Sequence, residues 1–257
     1  MDFNHLDFSN LNLEVQDFQM ENNEFIGRIE SAEIQEKSGL NIQEFRTDFA
    51  YQSQQAFLKN LYLQTPKTIL RDEIVLNYSS IEQLSEDLGN VAISADLYNS
   101  KIGFSDILAL APDLRNTAPF NKYPNASLHL DAEINGIVND LLIQNLEVSG
   151  LDDLKLKVRG RLRNATNPEN IYYDLNISEL SSSAKTIYNL VPPNTIPSNI
   201  SLPSSFTLRG KAKGTIEIID ADLKLNSTLG NAAVLAKLDM SRENRETYDV
   251  KANLRDL

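Results

Sequence analysis

The sequence predicts an all-β protein with two or three short helices, in which a long curled antiparallel sheet forms a groove or β-taco. Three observations support this prediction: apolar and polar residues alternate along most of the chain, a short Asn-Leu-x-Leu phrase recurs, and a helix-and-loop unit repeats. Alternation with period two is typical of antiparallel strands that have one apolar face and one face in water.

Alternating apolar residues mark predicted strands from one end of the chain to the other. Polar residues fill the positions between them, as in LHLDAEI (128–134), LKLKVRGRL (154–162) and YDVKANL (248–254). We expect the apolar residues to line one common face of the sheet. The candidate lining residues are Leu11, Leu13, Val15, Phe45, Phe49, Leu61, Leu63, Ile74, Leu76, Val91, Ile93, Leu128, Leu130, Ile134, Leu154, Leu156, Val158, Leu175, Ile177, Phe206, Leu208, Leu223, Leu225, Val234, Leu238 and Val250.

The recurring phrase explains part of this pattern. It occurs as FSNLNLEV (8–15), LKNLYLQT (58–65) and IQNLEVSG (143–150), with a looser copy, DADLKLNS, at 220–227. Each copy has a small or polar pair, then Leu, a polar or aromatic residue, and Leu or Val. We interpret the recurrence as successive strands that each add a rung to the same apolar floor.

Helical patterns are confined to three short segments. The segment 79–90 has the Ser-to-Gln spacing of a capping box and a Gly near its end, 105–112 begins at a Ser and ends at a Pro, and 181–193 does the same. Such start and stop signals predict short helices at these places. The rest of the chain is expected to be strands and loops.

Two of these helices open comparable units. ILALAP (107–112) corresponds to IYNLVP (187–192), each is followed by a Pro- and Asn-rich loop, and Gly136 then matches Gly214. The repeat is roughly 75–80 residues long, and repeated units of this kind stack along one axis. We therefore expect one continuous fold that consists of a first β segment, a repeat unit with a short helix, and a second, truncated unit, at 1–100, 101–180 and 181–257.

The number of strands constrains the shape of the sheet. With strands of about 5–10 residues, the chain holds on the order of 15 of them. At about 4.8 Å between neighbours, a continuous sheet would be about 70 Å long. Because twist accumulates and open sheets beyond about 10 strands curl or split, the apolar face is expected to curl over something apolar.

Composition and charge exclude several classes of protein. The formal net charge is −12, which argues against a nucleic-acid partner held by charge. There is no Cys, so disulfides and thiolate metal sites are excluded. No apolar run of about 18 residues predicts a transmembrane helix. The start MDFNHLDFSN has no secretory signal, and we interpret the chain as a piece of a longer one.

Candidate catalytic and metal-binding groups are sparse. His129 falls on the polar side of its predicted strand, and Asp152 and Asp153 fit a turn better than a calcium loop. No Gly-x-Ser-x-Gly motif or phosphate loop occurs. Five cations alternate through 154–163 and are interpreted as a solvated strand face. We therefore expect no enzyme activity, no cofactor and no metal.

Several segments resemble a known family. EKSGLNIQEFRTDFAY (36–51), LKNLYLQTPKTILRD (58–72), IGFSDILALAPDL (102–114) and NTIPSNISLPSSFTLRGKAKGTI (194–216) resemble the translocation and assembly module inner-membrane subunit TamB, in its long Bacteroidota-type forms. The resemblance covers most of the chain through diffuse strand patterns and includes neither the family's N-terminal membrane anchor nor its C-terminal domain. It indicates a middle segment.

The resemblance implies a long β-groove in the periplasm of a Gram-negative bacterium, within a protein anchored in the inner membrane. Such AsmA-like proteins resemble bridge-like lipid carriers, in which phospholipid acyl chains slide along an apolar trough between the membranes. It also implies, in some members, a partnership with an Omp85-type outer-membrane barrel through other parts of the full chain. The candidate lining residues would then contact acyl chains.

Two other interpretations fit the same pattern. A closed β-sandwich or solenoid, used as a scaffold or for adhesion, would bury the apolar face against itself. A hydrolase on a β scaffold would need a pair of acids in a cleft, and no such pair is recognisable in the sequence. Aromatic residues make up only 7% of the chain and Trp is absent, which favours a smooth aliphatic trough over a closed core.

Overall fold

The computed structural model describes residues 8–36, 39, 41–191, 196, 201–242 and 245–255. In this part of the chain, fifteen strands form an open antiparallel sheet in chain order, with one two-residue strand beside the main path. The predicted all-β class with a long open antiparallel sheet is confirmed. Contacts divide the chain into two compact units, Met1–Glu133 and Ile134–Leu257, which are described separately.

The first unit contains the strands up to the middle of β8 and two of the short helices. Their bounds are β1 Phe8–Glu21, β2 Glu24–Glu36, β3 Asn41–Ile42, β4 Glu44–Tyr51, β5 Gln55–Gln64, β6 Ile69–Asn77, α1 Gln83–Glu86, β7 Ala92–Gly103, α2 Phe104–Leu110 and β8 Ser127–Ile137. Along this unit each main strand pairs with the next, and β3 pairs with β2.

The second unit begins within β8 and continues the same pattern. Its elements are β9 Asp140–Gly150, β10 Leu154–Arg163, β11 Tyr172–Ser182, α3 Ala184–Leu190, β12 Phe206–Gly214, β13 Ile218–Ser227, β14 Gly230–Asp239 and β15 Thr247–Arg255. The pairings from β12 to β15 run without a register shift. Alternation therefore keeps each side chain of these strands on a fixed face.

Local sequence explains how the strands are connected. Asn22 and Asn23 form the two-residue link between β1 and β2, and their φ angles are 50° and 65°. Both angles lie in the left-handed region that a tight hairpin turn requires and that Asn tolerates. Asp152 and Asp153 lie in the turn between β9 and β10, where the sequence suggested a turn.

The predicted helices are present but shorter. The segment 79–90 contains α1 and a 3₁₀ turn at Leu88–Asn90, while α2 and α3 occupy the other two predicted segments. Residues 181 and 182 belong instead to β11, since Ser181 and Ser182 pair with Thr207 and Phe206 of β12. Cross-strand pairing therefore delays the start of α3, whose N-cap Ser183 accepts a hydrogen bond from the Thr186 backbone N–H.

The element order repeats along the chain. Four strands, β8–β11, follow α2, and four strands, β12–β15, follow α3. Gly136 and Gly214 occupy the same place, near the end of the first strand of each set, with φ of 125° and 136°. A Cβ on either glycine would overlap the carbonyl oxygen of the residue four positions later. The division into 1–100, 101–180 and 181–257 stays a prediction.

Hydrogen bonds attach α2 to an earlier hairpin turn. The hydroxyls of Thr65 and Thr68 both donate to Oδ2 of Asp106, at 2.5 and 2.6 Å, and both threonines are buried. We expect Asp106→Ala to destabilise the protein by about 1–3 kcal/mol, because two buried hydroxyls lose their acceptor. Chemical denaturation measures this loss. An unfolding midpoint equal to that of Asp113→Ala, an exposed position in the next turn, would contradict it.

A second aspartate beside α3 provides a pH test. Burial raises the pKa of Asp153, but hydrogen bonds from Thr186, Ser183 and Ser182 lower it more, so the pKa lies below the usual 3.8. A depressed carboxyl pKa stabilises the fold above the unfolded pKa, and this stabilisation is lost as the pH falls through the folded pKa. We expect Asp153→Asn to be less stable than the wild type at pH 7, and the difference to shrink as the pH falls from the ordinary carboxyl pKa through the lower folded pKa. Unfolding curves across this range check the convergence, and a constant difference would contradict it.

Candidate functional site

In the second unit, strand register brings most of the apolar side chains of β9 to β15 onto one face. Leu156 lies opposite Val148 on one side and Leu180 on the other. Leu180 in turn lies opposite Leu208, which lies opposite Leu225. We call this surface the unit 2 apolar face. Its other sequence-predicted members are Leu154, Val158, Leu175, Ile177, Phe206, Leu223, Val234, Leu238 and Val250.

Most of this face is neither buried nor fully exposed. Among the apolar side chains of the face, Val158 is 6% exposed and Ile143 and Ala221 are also buried, whereas the others are more accessible. Exposure is greatest on β15, where Val250 and Leu254 are 54% and 57% exposed. A closed sandwich would bury such inward-facing residues in a common core. The unit 2 apolar face therefore keeps a large accessible apolar area.

The first unit has a comparable surface, which we call the unit 1 apolar face. Leu58 lies opposite Phe49 and Ile74, and Phe45 lies opposite Leu63. Leu11, Leu13, Val15, Leu76 and Ile93 extend the surface over β1, β6 and β7. Its accessibility is greatest on β1, where Leu11 and Leu13 are 55% and 52% exposed.

In the first unit two predicted lining residues are buried, and β8 supplies three more of the predicted set. Leu61 follows a register shift in β5 and is 4% exposed. Val91 precedes β7, at the end of the 3₁₀ turn, and its side chain is fully buried. Along β8, the partly exposed residues on the apolar side are Leu128, Leu130 and Ile134.

The sequence pattern missed several members of both faces. Ile29 of β2 and Leu146 of β9 are examples, since they lie opposite Val15 and Val158. Register shifts occur close to each of them. A β-bulge moves the following residues to the other face, so simple alternation fails there. Left-handed Asn or Asp residues within strands, such as Asn60 with φ of 50°, are the signal that could have located the bulges.

The opposite face is mainly polar and carries paired charges, although Leu142 and Leu235 are also exposed on it. Arg161 of β10 donates to both carboxylate oxygens of Asp140 in β9, at 2.5 and 2.6 Å. These hydrogen bonds lower the pKa of Asp140 and raise that of Arg161. Lys157 contacts Glu147 at 2.6 Å in the same way. The five predicted cations of β10 are thus exposed on the polar face, and some of them neutralise neighbouring acids.

Residues with metal or catalytic potential do not converge. The described residues include no group of three or more His, Asp or Glu side chains that could hold a metal ion. His129 lies exposed on the polar side of β8. Among the helices of the described ranges, none is long and apolar enough to cross a membrane.

The chain was compared with protein-family models, curated proteins and solved structures. No match was found. The apolar and polar faces are therefore the basis for a functional proposal.

Proposed function

We propose that the apolar faces bind phospholipid acyl chains, and that the chain is a non-enzymatic segment of a lipid-conduit or envelope-assembly protein in the periplasm. The observation that carries the proposal is the unit 2 apolar face, where aliphatic side chains continue in register from β9 to β15 and stay accessible. Soluble monomers rarely expose contiguous apolar patches of more than a few hundred Å².

Acyl chains suit this surface for energetic reasons. Each methylene removed from water contributes about 0.8 kcal/mol, so even one partly covered acyl chain gains several kcal/mol. The lining is dominated by Leu, Ile, Val and Ala, with no polar side chain required to fix a position along it. Such a surface favours a flexible hydrocarbon that can slide, over a rigid ligand that needs directional hydrogen bonds.

Location and partners rest on the family resemblance. The TamB likeness implies a periplasmic segment and an Omp85-type partner for the full chain. It also implies that the full chain transports phospholipid between membranes or assembles outer-membrane proteins. The closed scaffold or adhesion domain is less favoured, since the partly exposed aliphatic residues on β10 to β15 leave room for an occupant.

Native mass spectrometry of the purified protein, followed by lipid extraction, tests the proposal. We expect phospholipid to co-purify at a near-stoichiometric level, because detaching it would return the apolar face to water. A fluorescent probe of exposed apolar surface should bind more strongly after delipidation. A protein that is free of lipid when first purified, and that binds neither the probe nor added phospholipid, would contradict the proposal and favour a closed domain.

A further inference from the structure

A cleft of about 830 Å³ lies on the polar face of the first unit, over β4 to β7. Arg46, Tyr62 and Arg71 form one row across three strands, since Arg46 lies opposite Tyr62 and Tyr62 lies opposite Arg71. Their neighbours along each strand, such as Phe45 and Leu63, lie on the unit 1 apolar face. The cleft is therefore on the other side of the sheet from the proposed acyl-chain surface.

One end of the cleft is cationic. The guanidinium carbons of Arg46 and Arg71 lie 4.7 and 5.5 Å from the centre of the Tyr62 ring. Arg46 also contacts Glu44 at 2.8 Å. Nε of Arg71, in contrast, is buried without a hydrogen-bond partner. Arg71 forms no ion pair within the described residues and lines the cleft, so the other nitrogens of its guanidinium can donate charge-assisted hydrogen bonds to a ligand oxyanion.

The other end of the cleft carries two carboxylates, while Lys59 of β5, which also lines the cleft, holds its ammonium 5.1 Å from the centre of the Phe57 ring. Glu73 of β6 lies directly opposite Asp96 of β7, and like charges in that arrangement repel each other. None of the ion pairs formed between described residues includes either carboxylate. Nearby, the Asp72 carboxylate accepts the backbone N–H of Tyr98 at 2.8 Å and is held in place. An ammonium group between Glu73 and Asp96 would be stabilised by both.

We infer that this cleft binds a small zwitterion whose oxyanion contacts Arg71 and whose ammonium group lies between Glu73 and Asp96. Arg71 and Glu73 are two positions apart on β6, so the two charges of the ligand must be separated by a few bonds. Phosphoethanolamine has this chemistry. It occurs free or as the headgroup of a phospholipid, and either source would present the same groups to the cleft.

Calorimetric titration of the full chain with phosphoethanolamine, inorganic phosphate and ethanolamine tests the charge pattern. We expect phosphoethanolamine to bind at least about tenfold more tightly than either half alone, since only the zwitterion engages both ends. Inorganic phosphate binding with equal affinity would reduce the cleft to a simple anion site and overturn the inference. So would the absence of phosphoethanolamine binding.

Two substitutions and a control locate the ligand. Arg71→Gln should weaken both phosphoethanolamine and phosphate by about tenfold or more, whereas Asp96→Asn should weaken phosphoethanolamine alone. Arg209→Gln, an exposed change on the polar face of β12, should leave both affinities unchanged. If Asp96→Asn weakened phosphate binding as much as phosphoethanolamine binding, the assigned ligand orientation would be overturned.

Vesicles of phosphatidylcholine with and without phosphatidylethanolamine distinguish the two sources. Binding that requires phosphatidylethanolamine and is lost in Asp96→Asn would assign the lipid headgroup. If the protein bound soluble phosphoethanolamine but not these vesicles, the ligand of the cleft would be the free compound and not the lipid headgroup. The outcome is independent of acyl-chain binding, because the cleft and the apolar face lie on opposite sides of the sheet.

Discussion

Glutamate in place of Leu156 is expected to weaken the affinity of the second unit for acyl chains by roughly 100-fold, the equivalent of about 2.7 kcal/mol, and so to lower its lipid occupancy. Leu156 lies between Val148 and Leu180 on the unit 2 apolar face. A carboxylate there must stay hydrated, so it keeps water where a hydrocarbon would otherwise lie. Lipid per protein, measured by extraction and mass spectrometry, gives the occupancy.

The matched control is Lys155→Glu, which places the same group on the polar side of the same strand. Lys155 is exposed and lies opposite Ser149 and Ser181, so lipid occupancy should be unchanged. In cells, Leu156→Glu, or Leu130→Glu in β8, should impair outer-membrane integrity while the protein is still exported. Wild-type integrity with either substitution, or equal lipid loss in Lys155→Glu, would contradict the groove.

Alanine at Gly210 is expected to destabilise the fold by about 3 kcal/mol or more. Gly210 lies within β12 with φ of 141°, a conformation that is essentially restricted to glycine. A Cβ there would overlap the Asp222 carbonyl oxygen in β13, so the two strands would have to separate. The midpoint of thermal unfolding should fall by roughly 6–12 °C.

Gly27→Ala provides the comparison. Its φ is outside the left-handed region, and an added Cβ would meet the Phe49 ring at 3.1 Å and the Phe18 Cα at 3.3 Å, much farther than the contact at Gly210. A ring can move by a few tenths of an ångström, so this change should cost clearly less than Gly210→Ala. Equal melting temperatures for the two variants would show that the φ angle of Gly210 is not what limits substitution.

Much of the sheet could be predicted because alternation in an antiparallel strand is a local property. Leu156, Val158 and Leu225 were assigned to the apolar side from their own segments, and the register places them there. Val91 was assigned to the strand that follows it. It lies instead at the end of a short 3₁₀ turn, and alternation of apolar and polar residues does not reveal burial at such a turn. Local sequence cannot reveal such packing.

The polar cleft was not predictable from the sequence. Arg46, Tyr62 and Arg71 become neighbours only because register shifts in β4–β5 and β5–β6 set which residues lie opposite one another. Each shift depends on backbone angles such as the φ of 85° at Asp72. The three side chains look like ordinary solvated strand residues when each strand is considered alone.

The order in which the strands pair also affects how the protein forms. From β4 onward each strand pairs with its successor, so the contacts that define the sheet are close in sequence. Low contact order favours rapid folding, and a nascent chain could add strands as it is synthesised, without waiting for a distant partner. Each newly completed strand would then template the next, which makes growth of the sheet vectorial.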